Sequence, residues 1–252
     1  MTTPRGLRSG LEMLRAAQKP ARGTAAYSRL INRPTGRLVA AAANTVGMTP
    51  NQATAISASL SGAGIAVLAV AEPHVWVGFC VAVLLAAGYV MDSVDGQLAR
   101  LRGGGSKNGE WLDHTVDCVK TATLHLAVLI SWYRFPPVDG DAVLLIPLGF
   151  EVVAAVTYFG LILMPTLRPA GTHGSTLSDQ TAPENPLRKY VLLPVDYGFV
   201  CWTFVLLGWP ETFLWVYTAV FAAAAGALSI ALRKWWQETR AIDRASAAGR
   251  TV

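Results

Sequence analysis

The stretch that decides the fold is Met91-Asp92-Ser93-Val94-Asp95-Gly96-Gln97-Leu98-Ala99-Arg100, followed beyond a glycine-rich loop by Gly109-Glu110-Trp111-Leu112-Asp113-His114-Thr115-Val116-Asp117. It lies where one long apolar segment ends and the next begins. Carboxylates at a membrane boundary are costly unless they pair or hold a cation. Asp92 and Asp95 are three residues apart, and Asp113 and Asp117 four, so each pair projects from one helical face. A short turn that folds the two helices together brings all four to one point. Such a set of oxygen ligands suits a hard divalent cation, or two. The competing account is a solvated helix end with Arg100, Arg102 and Lys107 as partners. Gly96 leaves room for a ligand to touch the backbone, and Ala99 keeps the same side shallow. Arg100 supplies a guanidinium suited to phosphate oxygens or to fixing a carboxylate.

Composition supports a membrane setting. Of 252 residues, 52% are hydrophobic and only 15% charged, with mean hydropathy +0.38. A soluble domain carries roughly a quarter charged residues. The net charge of +5 resides in basic residues that fall between apolar spans, which is the positive-inside pattern rather than a nucleic-acid footprint. Cys80, Cys118 and Cys201 each sit in an apolar span with no CxxC spacing, so neither a disulfide framework nor a zinc site is expected. The four histidines form no HExxH set, and the basic N-terminus lacks the apolar core of a signal peptide.

The chain divides into a basic N-terminal segment over 1–34, a membrane domain over 35–235 and a tail over 236–252. The first twenty residues are expected to lack order, because Gly, Pro and Thr interrupt them. Thr35 to Val46 is too short to span a bilayer and reads as an interfacial amphipathic helix. Thr49 is a plausible N-cap with Pro50 at the first helical position. Six spans follow, at about Asn51–Ala71, Val75–Leu101, Gly109–Tyr133, Ala142–Met164, Tyr190–Trp209 and Glu211–Leu232. The fold class is therefore an all-α membrane protein of six transmembrane helices. The N-terminal region, the glycine loop, the connection after Pro165 and the tail are basic, whereas the opposite loops hold only Arg134. Both termini and the aspartates are then cytoplasmic.

The set Asp92-x2-Asp95-Gly96-x2-Ala99-Arg100-x8-Gly109-x3-Asp113-x3-Asp117 is similar at all eight fixed positions to the signature of the CDP-alcohol phosphotransferase (CDP-alcohol phosphatidyltransferase) family. The strict match covers 26 residues, and Thr49-Pro50-Asn51 before the first span looks like the family's segment at that place. The resemblance implies a membrane enzyme of phospholipid biosynthesis that transfers a substituted phosphate from a CDP-alcohol to a hydroxyl and releases CMP. It implies that Asp92, Asp95 and Asp113 hold Mg²⁺ or Mn²⁺, and that Asp117 helps bind a second ion and acts as general base. Gly96 and Ala99 would line the cytidine site, Arg100 would lie near the phosphates, and Asn51 beside the nucleotide. The expected donor is CDP-diacylglycerol, taken laterally from the membrane lipid, and the expected acceptor a polar alcohol. The loop Arg102-Gly103-Gly104-Gly105 looks like that of members using inositol phosphate, while Cys118 departs from them, so glycerol phosphate stands beside it as acceptor. Transfer from a soluble CDP-alcohol to a lipid hydroxyl, or a non-enzymatic membrane protein with a retained cation site, are the alternatives. The family further implies a homodimer, here in a bacterial plasma membrane.

Weaker signals lie outside the motif. Lys120 shares the face of Asp113 and Asp117, and reads first as a counter-charge to Asp117 and second as a phosphate contact. His125 and Glu151 fall near mid-bilayer and are expected to pair. Asp196 is expected to bridge to Arg188 or Lys189. Arg168, Arg188 and Lys189 are the candidates for an anionic acceptor, against the plain positive-inside bias. His114 points about 100° away from Asp113, which favours packing.

Overall fold

The structure, a computed structural model, describes residues 6–16, 25–168 and 195–248, and no strand occurs among them. Helix α1 covers Leu7–Ala16 and α2 Arg33–Thr45, the latter entered through a wide π-type turn at Ser28–Asn32. Then come α3 (Pro50–Val70), α4 (Val75–Leu101), α5 (Lys107–Arg134) and α6 (Leu145–Leu167), the last preceded by a 3-10 turn at Asp141–Leu144. Helix α7 (Tyr197–Thr203) runs on as a 3-10 turn, Phe204–Gly208, and α8 spans Pro210–Ala248.

The expected cap at Thr49 is present in full. Its hydroxyl accepts from Gln52 N and its own N–H donates to Gln52 Oε1, with Pro50 at the first helical position. This reciprocal pair satisfies two otherwise orphaned groups and fixes where α3 begins. Helices α3 and α4 cross closely on small residues. Gly88 lies against Ser61 so tightly that a Cβ would overlap the Ser61 hydroxyl, and Ser57 Oγ donates to the Gly88 carbonyl at 2.8 Å. Between α4 and α5 the chain turns on Gly103 (φ +86°) and Gly104 (φ +138°), conformations that residues with a Cβ rarely adopt. Ser106 then caps α5 by accepting from Gly109 N at 3.0 Å.

The N-terminal region differs from expectation. Leu7, Leu11 and Leu14 recur at i, i+4 and i+7, enough to form the amphipathic helix α1. Leu14 is fully buried among Ala40, Ala41, Val94 and Leu98, so the described part of the basic segment packs onto α2 and α4. The interfacial helix begins at Arg33, and its Gly36 lies against Ser93 and Gln97 of α4.

Four helical segments are long and apolar enough to cross a membrane: Pro50–Val70, Val75–Leu101, Asp141–Leu167 and Pro210–Ala247. Six spans were expected. Helix α5 is 28 residues long, but Lys107, Glu110, Asp113, Asp117 and Lys120 crowd its first half. Of the fifth span residues 195–209 are described, and they contain the short apolar helix Tyr197–Gly208. Phe79, Val152, Phe159, Leu161 and Ile230 are exposed on the outsides of their helices. That is the reverse of a soluble surface and fits lipid contact. Helix α8 continues through residues 236–248. At 39 residues α8 is about 58 Å long against a hydrocarbon core of about 30 Å.

The inner core is aromatic, with Trp132, Phe150, Phe204, Phe213 and Tyr217 packed together. His125 belongs to this core and does not pair with Glu151. Its Nδ1 lies 2.7 Å from Tyr217 OH and its ring stacks on Phe150, while Glu151 Oε2 is buried without a partner. Stacking and one hydrogen bond satisfy an imidazole that the helix places facing α8 rather than Glu151.

Candidate functional site

Asp92 and Asp95 come from the last turns of α4, and Asp113 and Asp117 from the first turns of α5. The spacing led to the expectation that all four meet at one point; the glycine loop brings three of them together. Ligand oxygens of Asp92, Asp113 and Asp117 all lie within 4.8 Å of one another. Oxygens that share one divalent cation sit roughly 2.0–2.6 Å from it, so this spread fits a common ion.

Asp95 stands outside that trio. Three residues of helix separate two side chains by roughly 4.5 Å along the axis and about 60° around it. Asp95 is buried, and its Oδ2 accepts from Thr54 Oγ1 of α3 at 2.7 Å. It faces a polar cavity of about 740 Å³ bounded also by Asn51, Thr54, Gly96, Ala99, Arg100, Gly105, Gly109, Asp113 and His114. The sequence-derived residues Asn51, Gly96, Ala99 and Arg100 therefore share one cavity with two of the four aspartates.

Local packing explains the small residues. A Cβ on Gly96 would have only Arg100 Nη1 near it, at 4.0 Å, so any larger side chain would project into open cavity. A Cβ on Gly109 would come within 3.2 Å of both Asn51 Oδ1 and Ser106 Oγ, so glycine there lets α3 and α5 approach. Arg100 Nε is buried without a partner, a donor left for an anionic ligand. Arg102 instead donates to the carbonyls of Gly47 and Met48 and ties the turn before α3 to the end of α4.

Lys120 is the counter-charge expected from its helical face, with one addition. Nζ lies 2.6 Å from Asp117 Oδ1 and also 2.6 Å from Asp92 Oδ1. Sequence reasoning passed over Thr54 and Ser57, which contact Asp95 and Lys120. The signal was the run of hydroxyls Thr54, Ser57 and Ser61, spaced along one face of α3 and all buried.

The remaining candidates lie elsewhere. Arg168 makes a two-point ion pair with Glu238, Nε to Oε1 at 2.7 Å and Nη2 to Oε2 at 3.2 Å, locking the end of α6 to α8. That hydrogen bond holds the Arg168 pKa above its ordinary value, and Arg168 does not line the aspartate cavity. Arg188 and Lys189 lie outside the described residues. Asp196 is the buried N-cap of α7, its carboxylate accepting from Gly198 N at 3.0 Å and Ser28 N at 2.9 Å. The expected partners of Asp196, Arg188 and Lys189, lie outside the described residues, and backbone donors at a helix start satisfy its carboxylate. His114 does border the cavity, and its carbonyl accepts from Tyr158 OH at 2.6 Å.

Fold and site together define an all-helical protein with membrane-length helices and a carboxylate cluster beside a polar cavity. Residues 47–180, more than half of the chain, match the CDP-alcohol phosphatidyltransferase family, and the chain belongs to it. It is 39% identical over 87 residues to the phosphatidylinositol phosphate synthase of Corynebacterium glutamicum, covering 34% of this chain and 36% of that one. It is 35% identical over 92 residues to the archaetidylinositol phosphate synthase of Pyrococcus horikoshii, covering 35% of this chain and 46% of that one. The chain thus spans less than half the length of these relatives. The fold is similar to that of Mycobacterium tuberculosis phosphatidylinositol phosphate synthase in complex with manganese and citrate. There the TM-score is 0.55 and the identity 21%, over 82% of this chain and 89% of that one. The same protein with CDP-DAG bound gives 0.53 and 22%, over 82% and 94%.

Proposed function

We propose that the chain transfers a phosphatidyl group from CDP-diacylglycerol to the hydroxyl of a polar alcohol and releases CMP. The observation that carries this is the convergence of Asp92, Asp113 and Asp117 beside the cavity bounded by Asn51, Gly96, Ala99 and Arg100. The names of the relatives, and the manganese and CDP-DAG complexes of the mycobacterial protein, support it.

Asp92, Asp113 and Asp117 would hold Mg²⁺ or Mn²⁺, with Asp95 joining them from the cavity side. Four carboxylates carry charge enough for two divalent ions. Such ions would supply charge to offset the pyrophosphate and to polarise its phosphorus. The residues around them do the rest. Gly96 and Ala99 leave room for the cytidine, and Asn51 borders it. Arg100 offers its unpartnered Nε to the phosphates. Asp117 accepts the proton of the acceptor hydroxyl as that oxygen bonds to phosphorus and the bond to CMP breaks. Arg168 is occupied by Glu238, so Arg188 and Lys189 are the better candidates for an anionic acceptor such as inositol phosphate or glycerol phosphate. The protein works as a six-span homodimer in a bacterial plasma membrane, with its site and termini cytoplasmic.

The test is CMP release by the purified protein from CDP-diacylglycerol and Mg²⁺ or Mn²⁺, screened against glycerol phosphate, inositol phosphate, inositol and serine. One acceptor should release CMP, and Asp117→Ala should slow that release at least ~100-fold. Release with no acceptor would overturn the reaction, and near-normal turnover in Asp117→Ala would overturn the base.

A further inference from the structure

Lys120 is held by three helices at once. Nζ lies 2.6 Å from Asp92 Oδ1 on α4, 2.6 Å from Asp117 Oδ1 on α5 and 3.5 Å from Ser57 Oγ on α3, and the residue is only 8% exposed. An ammonium has three donors and no acceptor, so these contacts use all of them. The proton of Ser57 Oγ goes to the Gly88 carbonyl at 2.8 Å, which turns the oxygen's lone pairs toward Lys120. The lysine is thus fixed in direction as well as in charge.

The arrangement divides the two carboxylates. Asp92 and Asp117 each have Oδ1 taken by the ammonium, which leaves each with Oδ2. An ammonium on one oxygen disfavours closing on a cation through both, because the cation would then share that oxygen with a like charge. We propose that Lys120 is a positioning residue that holds Oδ1 of Asp92 and of Asp117 and so directs each to meet a cation through Oδ2, with Asp117 Oδ2 turned toward the acceptor hydroxyl. One oxygen has lone pairs enough to meet a cation and a hydroxyl together. The inference rests on the reaction proposed above and adds a residue that does not touch the reacting atoms. A mere strut would hold the helices together without dividing the oxygens, and the two roles predict different behaviour.

The experiment compares the full-length protein with Lys120→Met and Lys120→Arg in lipid nanodiscs. Mn²⁺ binding is followed by electron paramagnetic resonance without nucleotide, CMP release gives kcat and KM, and thermal melting reports the fold. Loss of a positive charge beside two ligands, with both oxygens freed, should tighten Mn²⁺ binding in Lys120→Met by roughly tenfold. Its kcat should fall roughly 100-fold, the range of a misplaced general base, while the KM for CDP-diacylglycerol stays within about threefold. Lys120→Arg, which can still bridge two carboxylates, should recover part of kcat. Weakened Mn²⁺ binding in Lys120→Met, or a kcat within about threefold of the parent, overturns the inference. If the parent protein binds Mn²⁺ but releases no CMP from any CDP-alcohol, the proposed reaction has failed. The Mn²⁺ comparison still decides whether Lys120 withholds the oxygens.

Discussion

At the residue scale, the four aspartates are chemically alike and differ by their partners. Asp92 and Asp117 face an ammonium, whereas Asp95 faces the hydroxyl of Thr54. A buried carboxylate that loses a side-chain donor is left with a desolvation cost of about 1–3 kcal/mol. Thr54→Val keeps the shape and removes the hydroxyl, so the melting midpoint should fall by an amount equivalent to about 1–3 kcal/mol. Because Asp95 borders the cavity, the KM for the CDP-alcohol should rise more than kcat falls. An unchanged melting midpoint would mean that Thr54 does not anchor Asp95. That Asp92, Asp113 and Asp117 converge was readable from spacing, since residues three or four apart on adjoining helices meet when the loop is short. The offset of Asp95 was not, because it depends on Thr54, and Thr54 reaches it only through the crossing of α3 over α4.

At the element scale, helix starts and stops were legible where the cause is local. The Thr49 cap with Gln52, the break at Glu72-Pro73 and the glycine turn at 103–104 depend on neighbours in sequence. Features that depend on distant partners were not legible. Helix α1 has ten residues, too few to be stable alone, and exists because Leu14 finds α2 and α4. Asp196 caps α7 through the nearby Gly198 N, but its second donor, Ser28 N, comes from the distant N-terminal segment. The crossing of α3 and α4 is the element on which the site depends, because Thr54 and Ser57 both face the aspartates from α3. A Cβ at Gly88 would meet the Ser61 hydroxyl and lie 3.1 Å from Ser61 N, so the helices would have to separate. Gly88→Ala should therefore cost about 1–3 kcal/mol by overpacking and lower activity with it. Adding Ser61→Gly, which removes the clashing hydroxyl, should recover part of both. Full stability in Gly88→Ala alone, read by thermal melting, would show that the crossing has slack.

At the scale of the whole molecule, the distribution of charge should set the orientation. Arg134 is the lone Lys or Arg of the loops opposite the aspartates, and the structure uses it locally: its guanidinium donates to the carbonyls of Ala69 and Val70 at the end of α3. A basic side chain at a helix C-terminus satisfies groups the helix leaves open, so its presence there does not weaken the asymmetry. The basic residues near the glycine loop and along the far end of α8 outnumber it, so the positive-inside rule predicts both on the cytoplasmic side. Lys107 and Asp243 are exposed at the end expected to be cytoplasmic, and Asp139 is exposed at the end expected to face outward. In a chain with Cys80, Cys118 and Cys201 replaced, single cysteines at these positions report the topology directly. A membrane-impermeant maleimide applied to intact cells should label Asp139→Cys, and should label Lys107→Cys and Asp243→Cys only after permeabilisation. If Lys107→Cys were labelled in intact cells, the aspartates would face outward, away from the cytoplasmic pool of CDP-alcohols and acceptor phosphates. The charge bias would then have failed to orient the chain. If Lys107→Cys and Asp243→Cys were labelled from opposite sides, an odd number of crossings would separate them, and the six-span count would fall with it.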